Sequence, residues 1–114
     1  MEVLAGAGDF TAPDGEPNHY AEHLRVADFS VGTYSIPAGG VDDQSPHTED
    51  EIYVVAQGRA TLHAGGESAA VAPGSVVHVP AGEEHRFTDV AEDLALLVFF
   101  APPYGSRADQ GLST

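Results

Sequence analysis

The sequence predicts an all-β domain, an antiparallel barrel or sandwich of short strands. Almost every segment between breaks has the length of a strand, and the breaks recur at regular intervals as glycines, prolines and pairs of the two. No stretch of ten or more residues combines helical periodicity with caps.

Taken in order, "YAEHLRV" is the one segment whose pattern admits a helix, and it is short. "FSVGTYSI" alternates apolar with small polar residues and stops at "PAGG". "EIYVVAQ" ends at Gly58, and "RATLHA" ends at the hairpin-type pair Gly65-Gly66. "SAAVA" runs to Pro73-Gly74 and "SVVHV" to Pro80; "HRFTDV" and "LALLVFF" complete the set. Residues 1–20, interrupted by Gly6, Gly8, Pro13, Gly15 and Pro17, read as an N-terminal arm. The barrel is expected over residues 21–102, with residues 103–114 as a flexible C-terminal tail.

Composition narrows the functions open to such a domain. At 114 residues the chain makes one domain, and a chain of that size buries roughly 60 to 70% of the surface its unfolded form exposes. Four basic against eighteen acidic side chains give a net charge of −14, which sets the protein's field against phosphate backbones and anionic headgroups. Nucleic-acid and membrane partners are therefore not expected. The absence of cysteine removes thiolate sites, so any metal must be held by nitrogen and oxygen. The first residues carry no basic leader, and the longest apolar run, "LALLVFFA", is far shorter than the roughly 20 residues of a spanning helix. A soluble, cytoplasmic protein is expected.

Chemistry concentrates in "QSPHTEDEIYVV". In a straight strand His47 and Glu51 would stand roughly 13 Å apart, at about 3.3 Å per residue. Ligands of one metal each approach it to about 2.0 to 2.2 Å. A shared metal therefore requires the chain to fold back, and the turn-tolerant residues Thr48, Glu49 and Asp50 allow it. Glu51 then opens a strand in which Tyr53 and Val55 share its face. A solvated acidic turn explains the same spacing.

Two longer patterns bear on these readings. Gly39-x5-Ser45-x-His47-x3-Glu51-x6-Gly58 is followed by Gly74-x5-Pro80-x-Gly82-x2-His85-x3-Asp89. Together they resemble the paired motifs of the cupin superfamily, G-x5-H-x-H-x3,4-E-x6-G and G-x5-P-x-G-x2-H-x3-N. The resemblance implies an antiparallel jelly-roll (double-stranded β-helix) barrel and a homodimer. It also implies a divalent metal ion (Fe, Mn, Ni or Zn) in the barrel, with His47, Glu51 and His85 as ligands.

The sequence departs from the pattern at Ser45, where a histidine is expected, and at Asp89, where asparagine is expected. The second change is mild, since both side chains serve turns. The first removes a ligand, because a hydroxyl binds transition metals poorly; the neighbouring Gln44 offers an amide oxygen instead. Glu51 and Tyr53 are the candidates for catalysis, with the Tyr53 hydroxyl placed to orient a substrate or a ligating histidine. His19, His23, His63 and His78 have no partner in sequence, Phe87 and Phe99 read as core or pocket wall, and Arg59 and Arg86 as outward partners of acids. The inward positions Val55, Val77, Val79 and Phe87 suit a small, largely apolar organic ligand. The function expected is metal-dependent oxygenase, isomerase or lyase chemistry on such a molecule; the alternative is a non-catalytic binding protein with a degenerate metal site.

Overall fold

The computed structural model describes residues 1–44 and 46–107. The expectations placed on Ser45 and on residues 108–114 fall outside the described residues. Eight strands form: β1 His19–Arg25, β2 Ser30–Ile36, β3 Asp50–Gln57, β4 Ala60–Ala64, β5 Glu67–Val71, β6 Val76–Val79, β7 His85–Thr88 and β8 Leu94–Ala101. All pairings are antiparallel. A five-stranded sheet of order β1-β2-β8-β3-β6 packs on a three-stranded sheet of order β5-β4-β7. This is the jelly-roll barrel.

The segment "YAEHLRV" is a strand and not a helix: β1 pairs with β2 from His19↔Ser35 to Arg25↔Ser30. A helix that short has little stability of its own, whereas the open edge of β2 offers a ladder of backbone bonds. The remaining strands fall where the punctuation puts them. Alternation fixes which side chains enter the barrel, with Glu51, Tyr53 and Val55 of β3, His85 and Phe87 of β7, and Val98 and Phe100 of β8 all buried. Ile36, Leu62, Val79, Leu94 and Leu96 complete the centre of the core.

The motif glycines mark turns that only glycine makes easily. Gly39, Gly58, Gly74 and Gly82 all have positive φ, at 72°, 89°, 96° and 79°. At Gly58 a Cβ would also stand 2.8 Å from Leu94 Cα, so both conformation and space demand glycine. Asp89, just past the end of β7, has φ 51°, which asparagine and aspartate tolerate better than other side chains, so aspartate serves this turn as asparagine would.

The N-terminal segment crosses the outer face of the large sheet. The Gly8 N–H donates to Thr33 Oγ1 at 2.9 Å and the Thr11 N–H to Ser35 Oγ at 3.1 Å. These bonds explain why β2 is buried on both faces, polar residues included.

Candidate metal centre

Three side chains from three parts of the chain converge between the sheets. Glu51 lies at the second position of β3 and His85 at the first of β7, so they face each other across the barrel. His47 comes from the connection leading into β3. Glu51 Oε1 lies 3.2 Å from His85 Nε2 and 4.0 Å from His47 Nε2, and the three ligand atoms all lie within 4.8 Å of one another. An ion with bonds of about 2.1 Å sets neighbouring ligand atoms about 3 to 3.5 Å apart. The cluster therefore closes on an ion with small movements.

The required fold-back between His47 and Glu51 is present and held from outside. The Gly82 N–H donates to the His47 carbonyl at 2.7 Å, and the Ala81 N–H to Asp50 Oδ1 at 3.0 Å. The Pro80-x-Gly82 turn of the second motif thus secures the loop of the first.

Hydrogen bonding fixes the state of each group. His85 Nδ1 lies 3.0 Å from the Glu83 carbonyl, which can only accept, so that nitrogen carries the hydrogen. At Nε2 a neutral ring offers a lone pair, which the Tyr53 hydroxyl reaches at 3.0 Å, whereas an imidazolium donates to Glu51 Oε1. That carboxylate oxygen is buried and has no hydrogen-bond partner among the described residues. When His85 is neutral, two acceptors face each other at 3.2 Å, an arrangement stable only with a proton or a cation between them. Burial works to lower the His85 pKa, but the nearby Glu51 carboxylate and the bond to the Glu83 carbonyl outweigh it and hold the imidazole above the ordinary histidine value. At His47 burial prevails over the attraction of Glu51, and the pKa is lowered.

Gln44 is drawn into the same cluster. Its Nε2 donates to Asp42 Oδ2 at 3.0 Å and to the Tyr53 hydroxyl at 3.1 Å, which turns Oε1 toward His47 Nε2 at 2.7 Å. Asp42 is itself buried and accepts the Tyr34 hydroxyl at 2.9 Å and the Phe87 N–H at 2.8 Å. The Tyr53 hydroxyl also lies 3.0 Å from His85 Nε2. Burial, then the charges of Glu51 and Asp42, push the Tyr53 phenol well above its ordinary pKa, so it serves as a donor and not as a base.

A cavity of about 170 Å³ opens beside the cluster, walled by Tyr20, Tyr34, Val98, Phe100 and Tyr104 and reached by Gln44, His47 and Glu51. Asn18 and Asp43 add polar lining, and no arginine among the described residues lines it. The other histidines stay outside. His78 is exposed beside Asp50, His63 bonds to Ser68 and Thr88, His19 to Thr11, and His23 to Thr33. Arg59 and Arg86 form no ion pair among the described residues, contrary to the expected pairing with acids; Arg25 does, with Glu22 at 2.9 Å. Phe99 is half-buried and Phe100 takes the pocket wall, as alternation in β8 dictates. Asp42, Glu49 and Tyr104 were not legible as site residues. A buried acid in "GGVDDQ" or "HTEDE" looks like a solvated turn, and Tyr104 lies in the stretch read as tail.

A jelly-roll barrel closing on a His-His-Glu cluster defines a cupin-type protein. Residues 32–100 match the Cupin domain family, and the chain belongs to it. An uncharacterized protein of Streptomyces coelicolor is 50% identical over 84 residues, covering 74% of this chain and 80% of its own length. Among solved structures, TT1209 of Thermus thermophilus superposes with a TM-score of 0.74 at 23% identity, over 90% of this chain and 97% of that one. KdgF of Halomonas sp. gives 0.70 at 23% identity, over 79% and 84%. A predicted oxalate decarboxylase of Thermotoga maritima gives 0.64 at 21%, over 74% and 79%. At these identities the structures share the fold.

Proposed function

We propose that the barrel binds a divalent metal ion through His47, Glu51 and His85, with Gln44 Oε1 as a fourth protein ligand, and acts on a small, largely apolar organic molecule bound beside it. The observation that carries the reading is the buried Glu51 Oε1, without a hydrogen-bond partner among the described residues and 3.2 Å from His85 Nε2, in a cluster whose three ligand atoms all lie within 4.8 Å of one another. A cation in that position satisfies both groups. Iron, manganese, nickel and zinc all accept such a nitrogen and oxygen set, which supports oxygen chemistry with Fe(II) or activation of water with zinc. The chain's own part is to fix the ligands, through Glu83 at His85 and through Asp42 and Tyr53 at Gln44, and to present an apolar wall that excludes water.

The alternative reading, a binding protein with a degenerate metal site, draws support from the 2.7 Å contact between His47 Nε2 and Gln44 Oε1, a hydrogen bond that satisfies both atoms without metal. Elemental analysis of protein purified without added metal, followed by titration with Fe(II), Mn(II), Ni(II) and Zn(II), separates the two. Binding near one ion per chain, lost in His85→Ala, is expected. No uptake of any of the four supports the degenerate site. The same reading takes the protein as a homodimer, an arrangement supported by exposed Val3, Val26 and Phe29 within its first thirty residues.

A further inference from the structure

After β8 the chain turns back over the cavity, and residues 103–107 are tied to the barrel at several points. The Glu49 carboxylate, 1% exposed, accepts the Gly105 N–H through Oε1 and the Arg107 N–H through Oε2, each at 3.0 Å, and also the Thr48 hydroxyl. The Tyr104 N–H donates to Ser30 Oγ at 2.9 Å, and Arg25 donates to the Tyr104 carbonyl at 2.7 Å. A carboxylate so deeply buried and so fully paired with one short segment has a single evident structural task, to hold that segment down.

What the segment delivers is the Tyr104 ring. Its centroid lies 4.8 Å from that of Phe100 and 5.4 Å from that of His47, and it forms part of the cavity wall. Glu49 stands between His47 and Glu51, so the loop that positions two candidate ligands is also the loop on which the strap docks. The cavity is about 170 Å³, and an apolar cavity of about 150 Å³ is large enough for benzene. Asp43 and Glu51 face it, with no arginine among the described residues, which disfavours anions.

We propose that Tyr104, carried on this strap and locked through Glu49, sets the size of ligand that the metal pocket admits: an uncharged molecule of about one ring. The inference rests on the metal reading above. With the strap in place the ring closes the pocket at the side of Phe100 and His47; with it released the pocket opens and selectivity for size is lost.

The test uses zinc, which is redox-inert, and two uncharged probes that bind the ion through one ring nitrogen, imidazole with one ring and benzimidazole with two. Calorimetry on the zinc-loaded protein should show wild type preferring the single ring. Tyr104→Ala should shift that preference toward the larger probe by about tenfold, corresponding to about 1.4 kcal/mol. Tyr104→Phe, which keeps the ring, should retain the preference. Glu49→Gln leaves Tyr104 in the chain but weakens its tether, and should show the same loss of selectivity. It should also speed tryptic cleavage after Arg107 by about tenfold, since cleavage requires that segment to open. Zinc binding with an unchanged probe ratio in Tyr104→Ala overturns the inference alone. An unchanged cleavage rate in Glu49→Gln overturns the tether. Failure of the wild-type chain to take up zinc overturns the metal reading and this inference with it.

Discussion

Gln44 is held by its nitrogen so that its oxygen has one direction in which to point. Asp42 and the Tyr53 hydroxyl take the two amide hydrogens, and Oε1 is left facing His47 Nε2 at 2.7 Å. If that oxygen is a ligand, Gln44→Ala should weaken metal binding about tenfold or more, measured by competition with a chelating dye. An unchanged affinity would mean that the amide only bonds to His47. Protons compete for the same nitrogens. With the His85 pKa raised, competition at that ligand begins above the ordinary histidine value, and at His47, whose pKa is lowered, only below it, so affinity should fall over a broad range as pH drops. Glu49 titrates lower. Burial alone would raise its pKa, but the Thr48 hydroxyl and the Gly105 and Arg107 N–H groups together hold it below the ordinary 4.5. A carboxyl lowered in the folded state adds stability that is fully present above its unfolded pKa and is lost as pH falls through the folded one. The melting temperature of wild type should therefore exceed that of Glu49→Gln at pH 7, and the gap should narrow as pH falls below 4.5; a gap independent of pH would count against the tethering role.

At the scale of elements, β2 shows how one small residue serves a distant site. A Cβ at Gly32 would stand 2.5 Å from Cζ and 2.6 Å from Cε1 of Tyr20, whose ring packs against Phe100 and Tyr104 and so cannot swing aside freely. Gly32→Ala should cost roughly 1 to 3 kcal/mol by overpacking, read from denaturant unfolding. A neutral substitution would show that the aromatic wall yields. Gly32 is not a motif residue, and nothing around it in "SVGTYSI" reveals the tyrosine that crosses it. The motif glycines were legible because each punctuates a turn, and turn chemistry is local. The strands were legible for the same reason, since their lengths and alternation are written in adjacent residues. β1 was ambiguous in the sequence because seven residues with mixed pattern suit a helix or a strand equally, and only the neighbouring edge of β2 decides. His47, Glu51 and His85 could be found because fixed spacings across two motifs stand for fixed geometry in the barrel. Asp42, Glu49 and Tyr104 act through contacts made after folding: Asp42 receives the N–H of Phe87, forty-five residues on, and Glu49 that of Arg107, fifty-eight residues on. No local pattern records such pairings.

The charge of the whole molecule bears on every equilibrium it enters. With eighteen acids, four arginines and no lysine, the chain carries −14 at neutral pH, and its field concentrates divalent cations near the surface while opposing the approach of a second copy. Salt screens both effects, with a Debye length of about 10 Å at 0.1 M falling to about 3 Å at 1 M. The two equilibria should therefore respond to salt with opposite signs. Metal affinity should fall between about 0.02 and 0.5 M potassium chloride, because the long-range attraction is lost while the contacts at His47, Glu51 and His85 remain. Dimerisation should strengthen over the same range, because repulsion between two chains of −14 is screened while apolar contact by Val26 and Phe29 is not weakened. Sedimentation equilibrium at the two salt concentrations, alongside metal titration under the same conditions, tests the pair. Metal affinity indifferent to salt would mean that the field of the distant acids does not reach the site, and a monomer at both concentrations would remove the dimer from the reading of this protein.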